Sequence, residues 1–339
     1  MKITDVKVFP VDEDKLKAYA TITFDNCFIV RDLNDIEKLR KYCEFVYVDS
    51  RKSERGVVAL ERPQTNERPR IPLKQIFQGR TLKPYQDGQS WSEERPRAAR
   101  VLDTLLVDIT AMFDHVSDGG KLQVMKLKKS VNPIVDSISR NPDACLWLTR
   151  LKQHDHYSYQ HSLSVAIWAV AMGRELGLHK PDLRSLAIGG LLMDVGKLKV
   201  DSELLRAEGP LTPEQTDQMR QHVHYGVEYL QETGILNQDV IDMVAHHHER
   251  YDGSGYPQGL GGDNIPPFAR IAAIVDTYDA MTSQRSHAAA LSPSEAIRIL
   301  YKSRDILFQA ELVEAFIKAV GIYPAGTLVE LSSGEVGVV

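Results

Sequence analysis

The chain has 339 residues, 43% of them apolar and 26% charged, a balance typical of soluble globular proteins and long enough for one large or two modest cores. A formal net charge of −5 excludes a general attraction to nucleic acid, and no stretch reaches the roughly 18 consecutive apolar residues of a membrane span. Cys27, Cys43 and Cys145 are few and odd in number, and the start Met1-Lys2-Ile3-Thr4-Asp5-Val6 has no apolar secretion core, so a reducing cytoplasm is the expected compartment.

Residues 2–9 and 18–24 read as two strands joined by the polar turn Asp12-Glu13-Asp14-Lys15, with Ala18, Ala20, Ile22 and Phe24 alternating along the second. Asn34 is placed to cap a helix bearing Ile36, Leu39 and Cys43, and Phe45-Val46-Tyr47-Val48 follows as a strand. These elements define a small α+β domain over residues 1–55. Residues 56–92, rich in Arg, Gln and Pro and without a sustained period, read as a linker. Ser92, Glu93 and Glu94 open a helix running to about residue 116, and Leu122, Met125, Val131, Ile134, Val135 and Ile138 mark a second, so 93–140 reads as connecting helices.

From 141 to 322 the pattern is almost wholly helical, with helices expected at 158–175, 181–193, 238–249, 268–282, 293–302 and 306–320. Thr212 with Gln215 and Ser292 with Glu295 form capping-box patterns, each with Pro at the first helical position. Trp147 and Trp168 lie in apolar stripes and read as core. Residues 323–339 read as a β-hairpin tail around Ser332-Ser333. The fold class is therefore mainly α, a helical bundle with a small N-terminal α+β segment and a short C-terminal hairpin.

Chemistry concentrates in His246-His247-His248-Glu249-Arg250-Tyr251-Asp252-Gly253-Ser254-Gly255-Tyr256-Pro257. Val240, Met243 and Val244 step at helical spacing, and His247 continues their apolar face, so an imidazole points inward. Further candidates lie on successive helices: His161, Asp194, His222, and Asp276 with Asp279, which interrupt the apolar run Ile271-Ala272-Ala273-Ile274-Val275. Buried carboxylates and imidazoles require partners. Any one of these histidines alone has an ordinary alternative as a hydrogen-bonded core residue; together they form a mixed donor set suited to Fe, Mn or Zn.

In this order, His161, Asp194-Val195-Gly196-Lys197, His222, His247-His248-Glu249, Asp252-Gly253-Ser254-Gly255-Tyr256-Pro257 and Asp276-Thr277-Tyr278-Asp279 resemble an HD-GYP domain over about residues 140–339. The resemblance implies the all-α HD fold and a bacterial phosphodiesterase that opens cyclic di-GMP to pGpG or GMP. It also implies two divalent metal ions, iron first and manganese as the alternative. The implied ligands are His161, Asp194, His222, His247, His248 and Asp276. One metal would use the positions of His161, Asp194 and Asp276 together with a histidine, and the other those of Asp194, His222, His247 and His248.

Where the family has that histidine of its His-Asp pair this chain has Met193, a soft thioether poorly matched to hard ions. The first metal site is therefore expected to be under-occupied, with water, His154 or His156 as substitutes. Asp194 and Lys197 are the implied catalytic residues, Lys197 lying near the scissile phosphate. Lys197, Arg285 and Tyr256 are implied to bind substrate, although the family's next basic residue is Ala288 here and His287 replaces a common tyrosine. Asp279 and Glu249 are expected behind the ligands, Asp279 orienting a histidine or lysine.

Residues 34–55, with Tyr47-Val48-Asp49-Ser50-Arg51-Lys52, resemble the small domain of unknown function that often precedes HD-GYP domains. Residues 1–33, notably Phe24-Asp25-Asn26-Cys27-Phe28-Ile29-Val30-Arg31-Asp32-Leu33, are similar to the opening hairpin of the SpoVG family. The chain thus reads as a fusion or rearrangement, and its stop at Val339 as a truncation. Expected partners are cyclic di-GMP, GGDEF-domain proteins through the GYP loop, and a second copy of the chain; nucleic acid and membrane are not expected. Two rival readings stand beside the enzyme: a catalytically impaired cyclic di-GMP receptor or GGDEF-partner module, favoured by Met193, and a hydrolase of another nucleotide.

Overall fold

The structure is a computed structural model that describes residues 3–13, 16–24, 69–151, 157–207, 209, 211–235, 237–283, 290–321, 328–330 and 336–338. It divides into two compact units, Met1–Ile71 and Pro72–Val339. In the first, β1 (Ile3–Glu13) pairs antiparallel with β2 (Leu16–Phe24), with Val6 opposite Ile22 and Val8 opposite Ala20. The helix expected after Asn34 and the strand at 45–48 lie outside the described residues.

The second unit is mainly helical, as the apolar periodicity requires. A short turn of helix, α1 (Leu73–Ile76), precedes α2 (Trp91–Ser117), α3 (Val124–Arg140), α4 (Pro142–Leu151), α5 (Tyr157–Glu175) and α6 (Lys180–Leu192). After a 3-10 turn at Val195–Lys199 come α7 (Ser202–Leu205), α8 (Pro213–Arg220), α9 (His222–Thr233), α10 (Gln238–His246), α11 (Pro267–Thr282), α12 (Pro293–Lys302) and α13 (Ala310–Val320). A two-stranded antiparallel pair, β3 (Leu328–Glu330) with β4 (Val336–Val338), lies near the end of the chain.

The helix beginning near residue 92 is capped two residues earlier than expected. Ser90 and Glu93 make the capping box, the Ser90 hydroxyl donating to the Glu93 carboxylate at 2.8 Å. Glu94 lies on the buried face of α2 among Ala98, Leu102, Leu105 and Ile109. It is tolerated there because Ser137 and Arg140 of α3 donate to both its oxygens at 2.7–2.8 Å.

The segment expected to be a linker is a correction. From Pro72 onward it is part of the helical unit: Ile76 and Phe77 are buried, and the Phe77 ring meets Phe268 edge-on. The Lys83 amide donates to the Gly177 carbonyl at 2.8 Å, and the Tyr85 hydroxyl donates to the Leu178 carbonyl at 3.0 Å. Arg80 bridges Asp182 of α6 and Asp239 of α10. An irregular strap takes its hydrogen bonds from distant elements, so it has no local period to read.

Helices α5 and α6 form the central pair, buried on nearly all sides. Gly190 makes their approach possible, since a Cβ there would lie 2.7 Å from the Ala166 Cα. Helices α10 and α11 pack on α6 and α5 respectively, and α9 packs on the 3-10 turn. This arrangement brings the polar ends of several apolar helices to one point.

Candidate metal centre

Each donor is placed by a simple local feature. His161 lies in the first half of α5, and Asp194 follows the last residue of α6 by two positions, at the N-terminal boundary of the 3-10 turn. His222 is the first residue of α9, and His247 and His248 follow the last residue of α10. Asp276 and Asp279 are one turn apart on α11. Gly196 sets the distance between Asp194 and His222, because a Cβ at that position would lie 1.9 Å from the His222 carbonyl oxygen.

Asp194, His222, His247 and His248 each offer a ligand atom, and these atoms all lie within 4.8 Å of one another. His246, their neighbour in sequence, is not in this set. The His222 Nδ1–H donates to the Met219 carbonyl at 2.7 Å, and the His247 Nδ1–H donates to the Met243 and Val244 carbonyls at 3.1 and 3.0 Å. These bonds fix the tautomers, so both Nε2 lone pairs face inward. They lie 3.4 Å from each other, and 3.5 and 3.8 Å from Asp194 Oδ1. Asp194 Oδ1 is buried with no hydrogen-bond partner among the described residues. Three convergent Lewis bases without a shared proton are costly unless a cation lies among them, so the donor set fits a divalent metal.

Electrostatics agree with that fit. Burial pushes His247 down to about 4, and lowers His222 and, more strongly, His248, so all three are neutral near pH 7, the form in which an imidazole can bind a metal. Burial works to raise Asp194, but Lys197 and then His222 and His161 outweigh it and hold the carboxyl well below its usual range. The Lys197 Nζ donates to Asp194 Oδ2 at 2.6 Å.

His161 and Asp276 adjoin this group on the Oδ2 side of Asp194. His161 Nε2 lies 3.2 Å from Asp276 Oδ1 and 3.6 Å from Asp194 Oδ2. Its Nδ1–H donates to Asp279 Oδ2 at 2.7 Å, while the Trp168 indole N–H donates to Asp279 Oδ1 at 3.1 Å. Burial opposes charge on His161, but hydrogen bonds to Asp276 and Asp279 prevail and raise it to about 10. A proton on Nε2 and a cation are alternatives at that point. Trp168, read only as core, also anchors the carboxylate that orients His161; its position two helical turns from His161 on the same face was the available signal.

Met193 is fully buried beside Asp194. Glu249 requires a correction: instead of supporting an imidazole, its two oxygens accept from the backbone amides of Gln258 and Leu260 at 2.8 and 3.0 Å. It braces the loop that carries Tyr256, since a buried carboxylate takes the nearest unpartnered amides. Gly255 lets that loop fold back, as a Cβ there would meet the His248 oxygen at 2.5 Å. The Tyr256 ring then stacks on His248 with centroids 4.6 Å apart. Arg285, His154, His156, His287 and Ala288 lie outside the described residues.

A helical bundle enclosing a buried imidazole and carboxylate centre is the class this architecture defines. Residues 143–312 match the HD domain family model, and residues 1–67 match that of SpoVG. The chain is 38% identical over 247 residues to the cyclic di-GMP phosphodiesterase PA4108 of Pseudomonas aeruginosa, covering 73% of this chain and 59% of that protein. It is 36% identical over 227 residues to the cyclic di-GMP phosphodiesterase response regulator RpfG of Xanthomonas campestris, covering 66% and 59%. The chain thus spans about three-fifths of the length of these curated relatives.

Among solved structures, Bd1817, an HDG"Y"P protein from Bdellovibrio bacteriovorus, aligns over 89% of this chain and 82% of its own with a TM-score of 0.53. At 16% identity that likeness concerns the fold alone. The chain belongs to the HD domain family. The SpoVG match continues past residue 33 through residues 34–55, the segment expected to resemble a different small domain. No helix among the described residues is long and apolar enough to cross a membrane.

Proposed function

We propose that this chain hydrolyses the phosphodiester bonds of cyclic di-GMP to pGpG or GMP at a centre of iron or, alternatively, manganese. The observation that carries this reading is the buried, unpartnered Asp194 Oδ1 facing the Nε2 atoms of His222 and His247. His222, His247, His248 and Asp194 would hold one ion; His161, Asp276 and Asp194 would hold a second. Bound there, such ions supply Lewis acidity and lower the pKa of water.

The remaining roles belong to the chain itself. Lys197, held at Asp194 Oδ2, stabilises negative charge developing on the phosphoryl oxygens. Asp279 keeps His161 in one tautomer. Tyr256 covers His248 and shapes the wall on which a nucleotide rests, with Arg285 as a further phosphate ligand. That the two relatives are cyclic di-GMP phosphodiesterases supports the substrate class. We further assign the chain to the cytoplasm, with GGDEF-domain proteins meeting the GYP loop and a second copy of the chain as a partner.

Met193 favours a second reading, a receptor that binds cyclic di-GMP without cleaving it. Metal analysis of anaerobically purified protein, with turnover measured under added Fe(II) or Mn(II), separates the two. Two metals per chain and release of pGpG or GMP support the enzyme; tight nucleotide binding with no product rejects it in favour of the receptor.

A further inference from the structure

Cyclic di-GMP carries two phosphodiesters, and only one reacts at a time, so the other needs a cation elsewhere in the pocket. Lys197 belongs to the reacting end through Asp194. Arg250, also beside Tyr256, donates to the carbonyl oxygens of His247 and Glu249 at 3.3 and 3.0 Å and lies over the Phe308 ring. Arg220 is placed differently. Its guanidinium carbon is 4.9 Å from the Tyr256 ring centroid, and that same ring stacks on His248 at 4.6 Å with a 26° interplanar angle.

His248 and Arg220 thus both rest against the Tyr256 ring, which links the guanidinium to the edge of the donor cluster. The Arg220 side chain is 48% exposed, and its carboxylate neighbour Asp217, 3.4 Å away on the same helix, is 74% exposed. Such a pair holds little energy, and a planar guanidinium resting on an aromatic face keeps edge donors for two anionic oxygens.

We propose that Arg220 binds the second, non-scissile phosphodiester of the cyclic dinucleotide, with Tyr256 as the platform that holds the guanidinium. This rests on the phosphodiesterase reading above and adds a residue that sets the preference for cyclic over linear dinucleotides. The test compares two ligands by calorimetry on the full metal-loaded chain: cyclic di-GMP and the linear dinucleotide GpG, which has two guanines and one phosphodiester. Both are used as phosphorothioates, which resist hydrolysis.

Arg220→Ala should weaken the cyclic ligand by about tenfold or more and GpG by less than about twofold, with Arg220→Lys in between and melting temperatures unchanged. Equal weakening of both ligands, or no change in either, overturns the assignment. Binding of both ligands by the wild type together with either of those results sinks Arg220 alone. A wild type that binds neither ligand overturns the phosphodiesterase reading and the Arg220 assignment with it.

Discussion

Position 193 joins the end of α6 to the carboxylate with the most shared contacts in the centre, and its side chain is a buried thioether. A thioether offers hard divalent ions little, whereas an imidazole of similar reach supplies a good donor. Met193→His should raise bound metal toward two ions per chain and tighten affinity for the second by about 10-fold or more, measured by titration with Mn(II). Unchanged stoichiometry would count against a depleted first site. Asp279 lies one step behind the candidate donors, since it fixes His161 and is itself fixed by Trp168. Asp279→Asn should weaken metal affinity by about 10–100-fold while leaving His222, His247 and His248 in place, which metal titration and imidazole NMR resonances can check. The identities of these side chains were readable from the sequence, because buried acids and imidazoles in apolar helices call for a common partner. That Asp279 orients a histidine was expected, but which histidine, and the bonds of Glu249 to the loop, were not readable, because the partners lie beyond a helical turn of each other.

Between elements, glycine and charge set the spacing. At Gly196 a methyl group would collide with the backbone of α9, which cannot swing aside as a side-chain tip would. Gly196→Ala should destabilise the unit by about 3 kcal/mol in urea unfolding and reduce metal binding, since relief requires moving His222 away from Asp194. The α2 to α3 contact depends on Glu94. Burial alone would raise its pKa from 4.5, but hydrogen bonds from Arg140 and Ser137 lower it. Its folded value lies below its unfolded one, so its contribution is present above about pH 4.5 and is lost as pH falls through the folded value. Glu94→Gln should therefore lower stability at pH 7 by about 1–3 kcal/mol, allowing for the partial exposure of Arg140, and flatten the acid limb of the stability profile. The helices were legible here because periodicity is local; the buried glutamate was unexpected because its partners sit on another helix.

For the helical unit, the donors come from α5, α11 and the ends of α6, α9 and α10, so bound ions would tie these segments together across the bundle. Binding to the folded state alone adds about 2.7 kcal/mol at a free metal concentration of about 100 times Kd. Chelation should accordingly lower the melting temperature by about 5–10 °C, and Mn(II) should restore it; an unchanged melting curve would argue against a centre built across these helices. The strap from Pro72 to Ser90 belongs to this unit, although Pro, Gln and Arg in an aperiodic run read as a linker.

The mainly helical class, the run of inward-facing donors and the substitution at Met193 were determined by the sequence itself, since helical period and residue chemistry are properties of neighbouring positions. Tertiary structure decided which atoms meet: Asp279 with His161 across 118 residues, the strap on α6 and α10, and the Tyr256 ring with both His248 and Arg220. Those pairings depend on how helices cross and how closely glycines let them approach, and no short stretch of chain encodes that distance.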